Sequence, residues 1–213
     1  MTGLILLAVS TLTMLALHRA RPDLDPIRTP VSFYVRGSGA WLLSVSLMTS
    51  GLGVLAVAWS LAQRLQRRVG AALLAIGGIG LVIAGLFPAD PWFPWQKPLT
   101  GLGLVHATAA MLAVAVFPIG ALLITRDERE TKGPGPMNRI LDVVALLFAA
   151  TLTGSGAVTL VYLASGRTPG FLGLAERIMM TLAVAWLAAA SRAPVTTAES
   201  GRASRWPQVS AEL

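Results

Sequence analysis

Six long apolar runs, separated by short charged or Gly/Pro-rich segments, dominate this chain. The runs lie at about residues 3–18, 40–62, 70–88, 101–125, 140–163 and 171–191. A helix needs about 20 mostly apolar residues to cross the hydrocarbon core of a bilayer. The second to sixth runs reach that length, and the first is marginal. The pattern therefore predicts an all-α fold, a polytopic membrane protein built as a bundle of six transmembrane helices.

The first run has a competing interpretation as a cleaved signal peptide. Such a peptide has a basic stretch before its apolar region and small residues at its cleavage site. No positive side chain precedes Leu4, and the positions that follow the run are occupied by His18, Arg19 and Arg21. We therefore expect a helix that is retained in the membrane.

Composition agrees with a membrane protein and argues against two other classes. Hydrophobic residues make up 54% of the 213 residues and charged residues 13%, which is too apolar for an ordinary soluble domain. The net charge of +7 could indicate nucleic-acid binding, but the positive residues are spread over several loops instead of forming one basic face. We predict no nucleic-acid partner. Cysteine is absent, so thiolate metal sites and disulfides are excluded.

The distribution of charge predicts the orientation. Of the 17 Lys and Arg residues, ten fall on the side that would hold both termini, six fall on the opposite side, and Arg177 lies within a run. By the positive-inside rule, both termini are then cytoplasmic. Nine of the fourteen aromatic residues fall at the opposite, outer side, where rings with a polar edge favour the headgroup layer.

The chain is organised as one membrane domain over residues 1–192. Residues 193–213 are polar with little periodicity, and we predict a disordered cytoplasmic tail. The third run has Gly77, Gly80 and Ala84 on one side of its helix. A face of small residues lets two helix backbones approach closely in lipid.

A stripe of hydroxyl groups lies along one side of the fifth run, at Thr151, Ser155 and Thr159. Such a stripe could line a pore. Ser and Thr in membrane helices more often return hydrogen bonds to the backbone of their own helix or bind a neighbouring helix. We predict the second role.

Ionisable side chains near the outer ends of the runs are the candidate site. An ionisable group within a span costs about 2.5–3.5 kcal/mol on insertion scales, and pairing or a water-filled pocket usually compensates. Because the topology places these residues at similar depth, we predict one shared, shallow pocket at the outer face. Its candidate ligand-binding residues are His18, Arg21, Asp23, Asp25, Asp90, His106, Glu176 and Arg177.

Two uses of this pocket depend on its arginines. In a structural role, Arg177 would pair with Asp90 or Asp23. In a binding role, Arg177 and Arg21 would hold an anionic group such as a lipid phosphate or carboxylate, and Asp90 would orient an arginine or a histidine. Both uses remain open from the sequence.

A third use is a metal site. Two histidines and nearby carboxylates are ligand types that suit zinc, and the alternative ligand set is His18, Asp90 and His106. No short spacing of the His-x-x-x-His kind is present. We expect no cofactor, with zinc as the alternative.

The middle of every run is free of charged residues. A proton or cation relay across a membrane normally needs ionisable groups at depth. The pattern therefore argues against such a relay, and the polar residues open to one side only.

Several motifs resemble a known family. They are the run His-Arg-Ala-Arg-Pro-Asp-Leu-Asp-Pro at 18–26, Pro-Val-Ser-Phe-Tyr at 30–34, the segment 37–41, Gly-Leu-Phe-Pro-Ala-Asp at 85–90, Thr100 with His106, and Glu-Arg-Ile at 176–178. Together they resemble the bacterial and archaeal membrane family called domain of unknown function 998, over about residues 10–190. The resemblance implies six helices, a prokaryotic plasma membrane and no established reaction, and it supports the choice of site residues.

Outer-face His and Asp residues also occur in membrane zinc hydrolases similar to the ceramidase-like superfamily. This chain has only two histidines, so a centre of three histidines cannot form. The function we expect is binding of a membrane lipid headgroup or another small amphiphile. The alternatives are a metal-dependent hydrolase acting on lipid, with Glu176 or Asp23 as general base, and a non-catalytic accessory subunit. Whether the protein is an enzyme stays open.

Overall fold

The computed structural model describes residues 1–37 and 39–192, and this part of the chain is all-helical. Its six α-helices are each long and apolar enough to cross a membrane, which confirms the predicted fold class. The predicted tail at 193–213 lies outside the described residues. In chain order the elements are α1 Thr2–Ala20, a 3-10 helix Val31–Val35, α2 Ala40–Ala62, α3 Val69–Leu86, α4 Gly101–Lys132, α5 Pro136–Ala164 and α6 Leu172–Arg192.

The bundle has two ends, which we name by what they hold. The first-loop face carries the α1–α2, α3–α4 and α5–α6 connections. The N-terminal face carries the start of α1, the α2–α3 and α4–α5 connections and the end of α6.

The fourth helix is longer than predicted. We predicted a span at 101–125, with a charged or Gly/Pro-rich segment between it and the next run, but α4 continues to Lys132. Its charged end is a good helix former because Arg126 and Glu130 pair at 2.9 Å, four residues apart. Asp127 is buried and accepts a hydrogen bond from the Gln66 backbone N–H at 3.0 Å. This end of α4 therefore packs against the α2–α3 connection.

Small residues bring α2, α3 and α4 together. A Cβ placed on Gly51 of α2 would lie 2.6 Å from the carbonyl oxygen of Gly78 in α3. A Cβ on Gly80 would lie 2.7 Å from the carbonyl oxygen of Ala109 in α4. The small face predicted for the third span is thus a contact with α4, since lipid offers no hydrophobic drive and close packing holds the helices.

The second half of the bundle closes over aromatic rings. Phe117 of α4 lies against Phe148 of α5, with ring centroids 4.8 Å apart, and edge-on to Trp186 of α6 at 5.9 Å. All three rings are buried. They form one hydrophobic cluster with buried residues of α1, α2 and α3.

Hydroxyl groups inside the helices are satisfied by backbone or by each other. Thr151 and Thr159 donate to carbonyl oxygens four residues earlier, at 2.8 and 2.7 Å, which confirms the predicted backbone role. Between α1 and α2, Ser10 donates to the carbonyl of Ser46 at 2.9 Å and lies 2.5 Å from the Ser50 hydroxyl. This buried serine contact was not predicted.

The first connection folds back over the bundle. Val31 and Tyr34 of its 3-10 helix are buried with Met14 and Leu17 of α1. Gly39 ends the connection with φ +85°, a conformation that side-chain-bearing residues rarely adopt. The folded connection brings Tyr34 next to the polar ends of α1 and α6.

Candidate functional site

The side chain of Arg177 is the centre of the first polar group. Its Nε donates to His18 Nε2 at 2.8 Å, and its Nη2 donates to the Tyr34 hydroxyl at 3.1 Å. Its Nη1 donates to the carbonyl oxygens of Thr29, at 3.0 Å, and Gly173, at 2.8 Å. Each nitrogen of the guanidinium therefore already has a neutral acceptor within the chain.

The hydrogen bonds of His18 define its tautomer. Its Nδ1 lies 2.7 Å from the carbonyl oxygen of Met14, which can only accept, so Nδ1 carries the proton. Its Nε2 accepts from Arg177 and must hold a lone pair. The ring lies 5.2 Å from the ring of Tyr34. His18 is thus neutral and serves as an acceptor for the arginine.

Tyr34 completes this group from the first connection. Its side chain is 1% exposed. Burial raises the pKa of the Tyr34 phenol, and the neighbouring Arg177 opposes that shift. The phenol stays protonated and can accept from the guanidinium.

The side chain of Glu176 binds the first connection at a different residue from those that Arg177 binds. Its Oε2 accepts from the backbone N–H of Val31 at 2.6 Å. The Leu174 N–H donates to the carbonyl oxygen of Ile27 at 2.9 Å. The start of α6 therefore holds the first connection in place through side chains and backbone. We call His18, Tyr34, Glu176 and Arg177 the Arg177 group.

The side chain of Arg21 forms its hydrogen bonds within the first connection. Its Nε and Nη2 donate to the two carboxylate oxygens of Asp23 at 2.9 and 2.8 Å, and its Nη1 donates to the carbonyl oxygen of Arg36. The hydrogen bond from Arg21 holds the pKa of the Asp23 carboxyl below its usual value. Asp25 stands apart, where it accepts from the Ile27 N–H at 2.8 Å in an exposed turn.

Asp90 belongs to the start of α4. Its Oδ2 accepts from the backbone N–H of Thr100 at 2.7 Å, and the Thr100 hydroxyl lies 3.1 Å from Oδ1. That hydroxyl also accepts from the Gly103 N–H at 3.1 Å and caps the helix. A Cβ on Gly103 would collide with the Asp90 carboxylate. Asp90 is therefore explained as a capping partner.

His106 closes the end of α3. Its Nδ1 lies 2.7 Å from the carbonyl oxygen of Ala84 and 3.0 Å from that of Phe87, so Nδ1 carries the proton. These carbonyls belong to the last turn of α3, where helix carbonyls lack partners. Within the described part of the chain, His106 Nε2 makes no hydrogen bond, although the residue is 5% exposed.

A cleft of about 180 Å³ opens beside His106 at the first-loop face. It lies between the starts of α2 and α4 and the end of α3. Its walls are mostly apolar, with Trp41, Leu43 and Phe87 among them, and its polar side chains are Ser44 and His106. We call it the His106 cleft.

The structure does not assemble the predicted single cluster. Among the described residues, no hydrogen bond or ion pair joins the Arg177 group to Asp90 or His106. Of the uses left open by the sequence, the structural pairing of Arg177 with Asp90 or Asp23 is not found among the described residues, where neutral acceptors bind Arg177. Asp90 orients Thr100, and neither an arginine nor a histidine.

The alternative zinc ligands are also separated. Across residues 1–37 and 39–192, no three His, Asp or Glu side chains lie close enough to hold a metal ion. Of the predicted set, His18 binds Arg177, Asp90 binds Thr100, and His106 binds two carbonyls.

Sequence reasoning missed a pair of cations, Arg36 and Lys97, at the first-loop face. The Lys97 ammonium lies 4.4 Å from the centre of the Trp92 ring, and the Arg36 guanidinium lies 5.7 Å from it. Phe33 of the first connection and Phe93 of the third lie 4.6 Å apart. The signal available in the sequence was Trp92 together with basic residues in the first and third connections, since cations favour aromatic faces.

Comparison with known proteins gives a family without an assigned role. Neither the curated proteins nor the solved structures contain a match to this chain. A family model described as "Protein of unknown function (DUF998)" matches residues 3–193. Since this match covers nearly the whole chain, the protein, with its six membrane-spanning helices, belongs to the DUF998 family.

Proposed function

We propose that this protein binds a membrane amphiphile at the first-loop face, with the polar head of the ligand in the His106 cleft. The state of His106 is the observation that carries the proposal. Two carbonyl oxygens fix its Nδ1, while its Nε2 makes no hydrogen bond within the described residues and the side chain lines the cleft. A fixed imidazole with an unused nitrogen can accept a hydrogen bond from a ligand hydroxyl or amine.

The size of the cleft limits what it holds. A volume of about 180 Å³ corresponds to about six water molecules at their share of liquid volume. That space fits a small headgroup and excludes a whole lipid. Trp41 is 65% exposed and lines the cleft, so the acyl chains of the ligand would remain in the bilayer beside α2.

The cations at the first-loop face favour an anionic ligand. Arg36, which follows the cleft-lining residue Val35, and Lys97 are exposed, and both lie near the Trp92 ring. Within the described residues neither of them makes an ion pair. A phosphate beside the cleft would find two available cations there.

This assignment differs from the one made on sequence. Arg177 and Arg21 were the expected anion ligands, but each nitrogen of both guanidiniums donates to a group of the chain itself. Binding an anion at either would first require breaking these bonds. We therefore assign the anion to Arg36 and Lys97.

Native mass spectrometry of the full chain in mild detergent tests the proposal. We expect wild type to retain phospholipid, and the phospholipid bound at the cleft to fall at least about fivefold in His106→Ala, the loss of about one hydrogen bond. Because His106→Ala removes a partner of α3, His106→Gln is a second variant that keeps an N–H for the carbonyls. Arg36→Gln with Lys97→Gln should reduce retention similarly.

Arg28→Gln is the matched control, because Arg28 is 77% exposed on the same face and does not line the cleft. Its retention of lipid should equal that of wild type. Wild-type retention by both His106 variants would overturn the proposal. Loss of lipid in a folded Arg177→Gln variant, with the His106 variants unaffected, would return the site to the Arg177 group.

A further inference from the structure

We propose a second lipid site, at the N-terminal face, that binds an anionic phospholipid. A groove between α2 and α3 would hold part of an acyl chain, and Arg68 would bind the phosphate. This site lies at the opposite end of the bundle from the His106 cleft and does not depend on it.

The groove has the shape and lining that an acyl chain needs. Its volume is about 330 Å³, and five of its eight lining residues are alanines. Leu55 and Trp59 of α2 form the rest of its apolar wall. Arg68 is its single charged lining residue. Ligand sites of this kind are concave and mostly apolar, with one or a few polar groups that fix orientation.

The packing of the two helices explains why the groove is open. At Gly51 and Gly78 the backbones of α2 and α3 are in contact, since a Cβ on Gly51 would lie 2.6 Å from the Gly78 carbonyl oxygen. Nearer the N-terminal face, the groove is lined by Ala58, two turns from Gly51, and by Ala75, one turn from Gly78. Alanine side chains there are too short to fill the space between the diverging helices.

Arg68 supplies the charge that selects the ligand. It is exposed and precedes α3. Its neighbour Arg67 pairs with Glu130 at 3.0 Å, whereas the side chain of Arg68 makes no hydrogen bond or ion pair among the described residues. A planar guanidinium suits phosphate oxygens, and this one stands at the mouth of an apolar groove.

Trp59 places the groove near the membrane surface. Its side chain is 72% exposed, and it lies three residues before the end of α2 at Ala62. Tryptophan favours the headgroup level of a bilayer. A phospholipid in the leaflet at this face can therefore put its phosphate at Arg68 while its chain enters the groove.

The experiment measures bound phosphatidylglycerol by native mass spectrometry of the full chain, released from nanodiscs of phosphatidylglycerol and phosphatidylcholine. Wild type should retain phosphatidylglycerol in preference to phosphatidylcholine. In the His106→Ala background, which removes the lipid of the His106 cleft, Arg68→Gln should lose that preference, with retained phosphatidylglycerol falling at least about fivefold. Ala72→Phe, at an exposed lining position, fills the groove and keeps the charge, and should also lose retention.

Arg139→Gln is the matched control. Arg139 is exposed on the same face, its side chain makes no hydrogen bond or ion pair within the described residues, and it does not line the groove. It should behave as wild type, and inorganic phosphate should not displace the lipid. Wild-type retention by Arg68→Gln, an equal loss in Arg139→Gln, or full retention by Ala72→Phe would overturn the proposal. The His106 variants should keep this lipid, which separates the two proposals.

Discussion

At the scale of single residues, Arg177 shows how neutral acceptors can stabilise a cation near the end of a membrane helix in place of an ion pair with a carboxylate. Its N–H groups are distributed over an imidazole, a phenol and two backbone carbonyls. All of these acceptors come from α1, the first connection and α6 itself. The arginine therefore acts as a clamp, which holds the first connection against α1 and α6. Its N–H groups are not available to a ligand.

This clamp predicts that Arg177→Lys destabilises the protein by about 2–3 kcal/mol, because an ammonium cannot reach four acceptors in different directions and leaves buried groups unsatisfied. Thermal unfolding in detergent measures the change. Arg139→Lys, where no partner is described, should leave the unfolding temperature unaltered. Equal unfolding temperatures for Arg177→Lys and wild type would show that the clamp contributes nothing.

At the scale of helices, glycine decides which elements touch. The carbonyls of Gly78 and Ala109 lie where a side chain on the neighbouring helix would otherwise stand. The fifth helix is different, since Gly154 and Gly156 meet no neighbouring atom within 4 Å. The same residue type is thus a packing requirement in α3 and carries no contact in α5.

Gly80→Ala and Gly154→Ala form a matched pair that tests this difference. The new methyl at Gly80 would lie 2.7 Å from a backbone oxygen of α4, so α3 and α4 must separate, at a cost of about 1–3 kcal/mol. The methyl at Gly154 meets nothing, and stability should not fall. Unfolding temperatures of the two variants make the comparison, and equal values would contradict the close contact.

At the scale of the whole molecule, the two faces differ in their chemistry. The first-loop face has a tilted aromatic contact between two connections, and it has the His106 cleft. The N-terminal face has the ion pairs Arg67–Glu130, Arg126–Glu130 and Arg129–Asp142. The excess of positive charge at the N-terminal face leads us to propose that this face is cytoplasmic.

Cysteine labelling tests the orientation, and the absence of native cysteine makes the background low. We expect Gln96→Cys, in the third connection, to react with a membrane-impermeant maleimide on intact cells. Gln66→Cys, in the second connection, should react only after the membrane is opened. Both positions are exposed. The reverse pattern would invert the topology.

Much of the fold followed from the sequence because length and hydropathy alone decide what can cross a bilayer. The last turns of α4, beyond residue 125, were not predicted, because charged residues carry no apolar signal. Asp127 there is bound by the Gln66 N–H from another connection. The site was less predictable. Distinguishing a clamp from a ligand site required the partners of Arg177, which are 143 to 159 residues away for Tyr34 and His18.

The sequence by itself determined that this chain forms six membrane helices and that its ionisable side chains gather at their ends, because hydrocarbon excludes charge and unpaired backbone wherever they occur. The tertiary structure alone decided which of those side chains form hydrogen bonds within the chain. Hydrogen bonding is directional and local, so only the packed helices could direct Arg177 and Asp90 to chain partners and leave His106 Nε2 and the Arg68 side chain without them among residues 1–37 and 39–192.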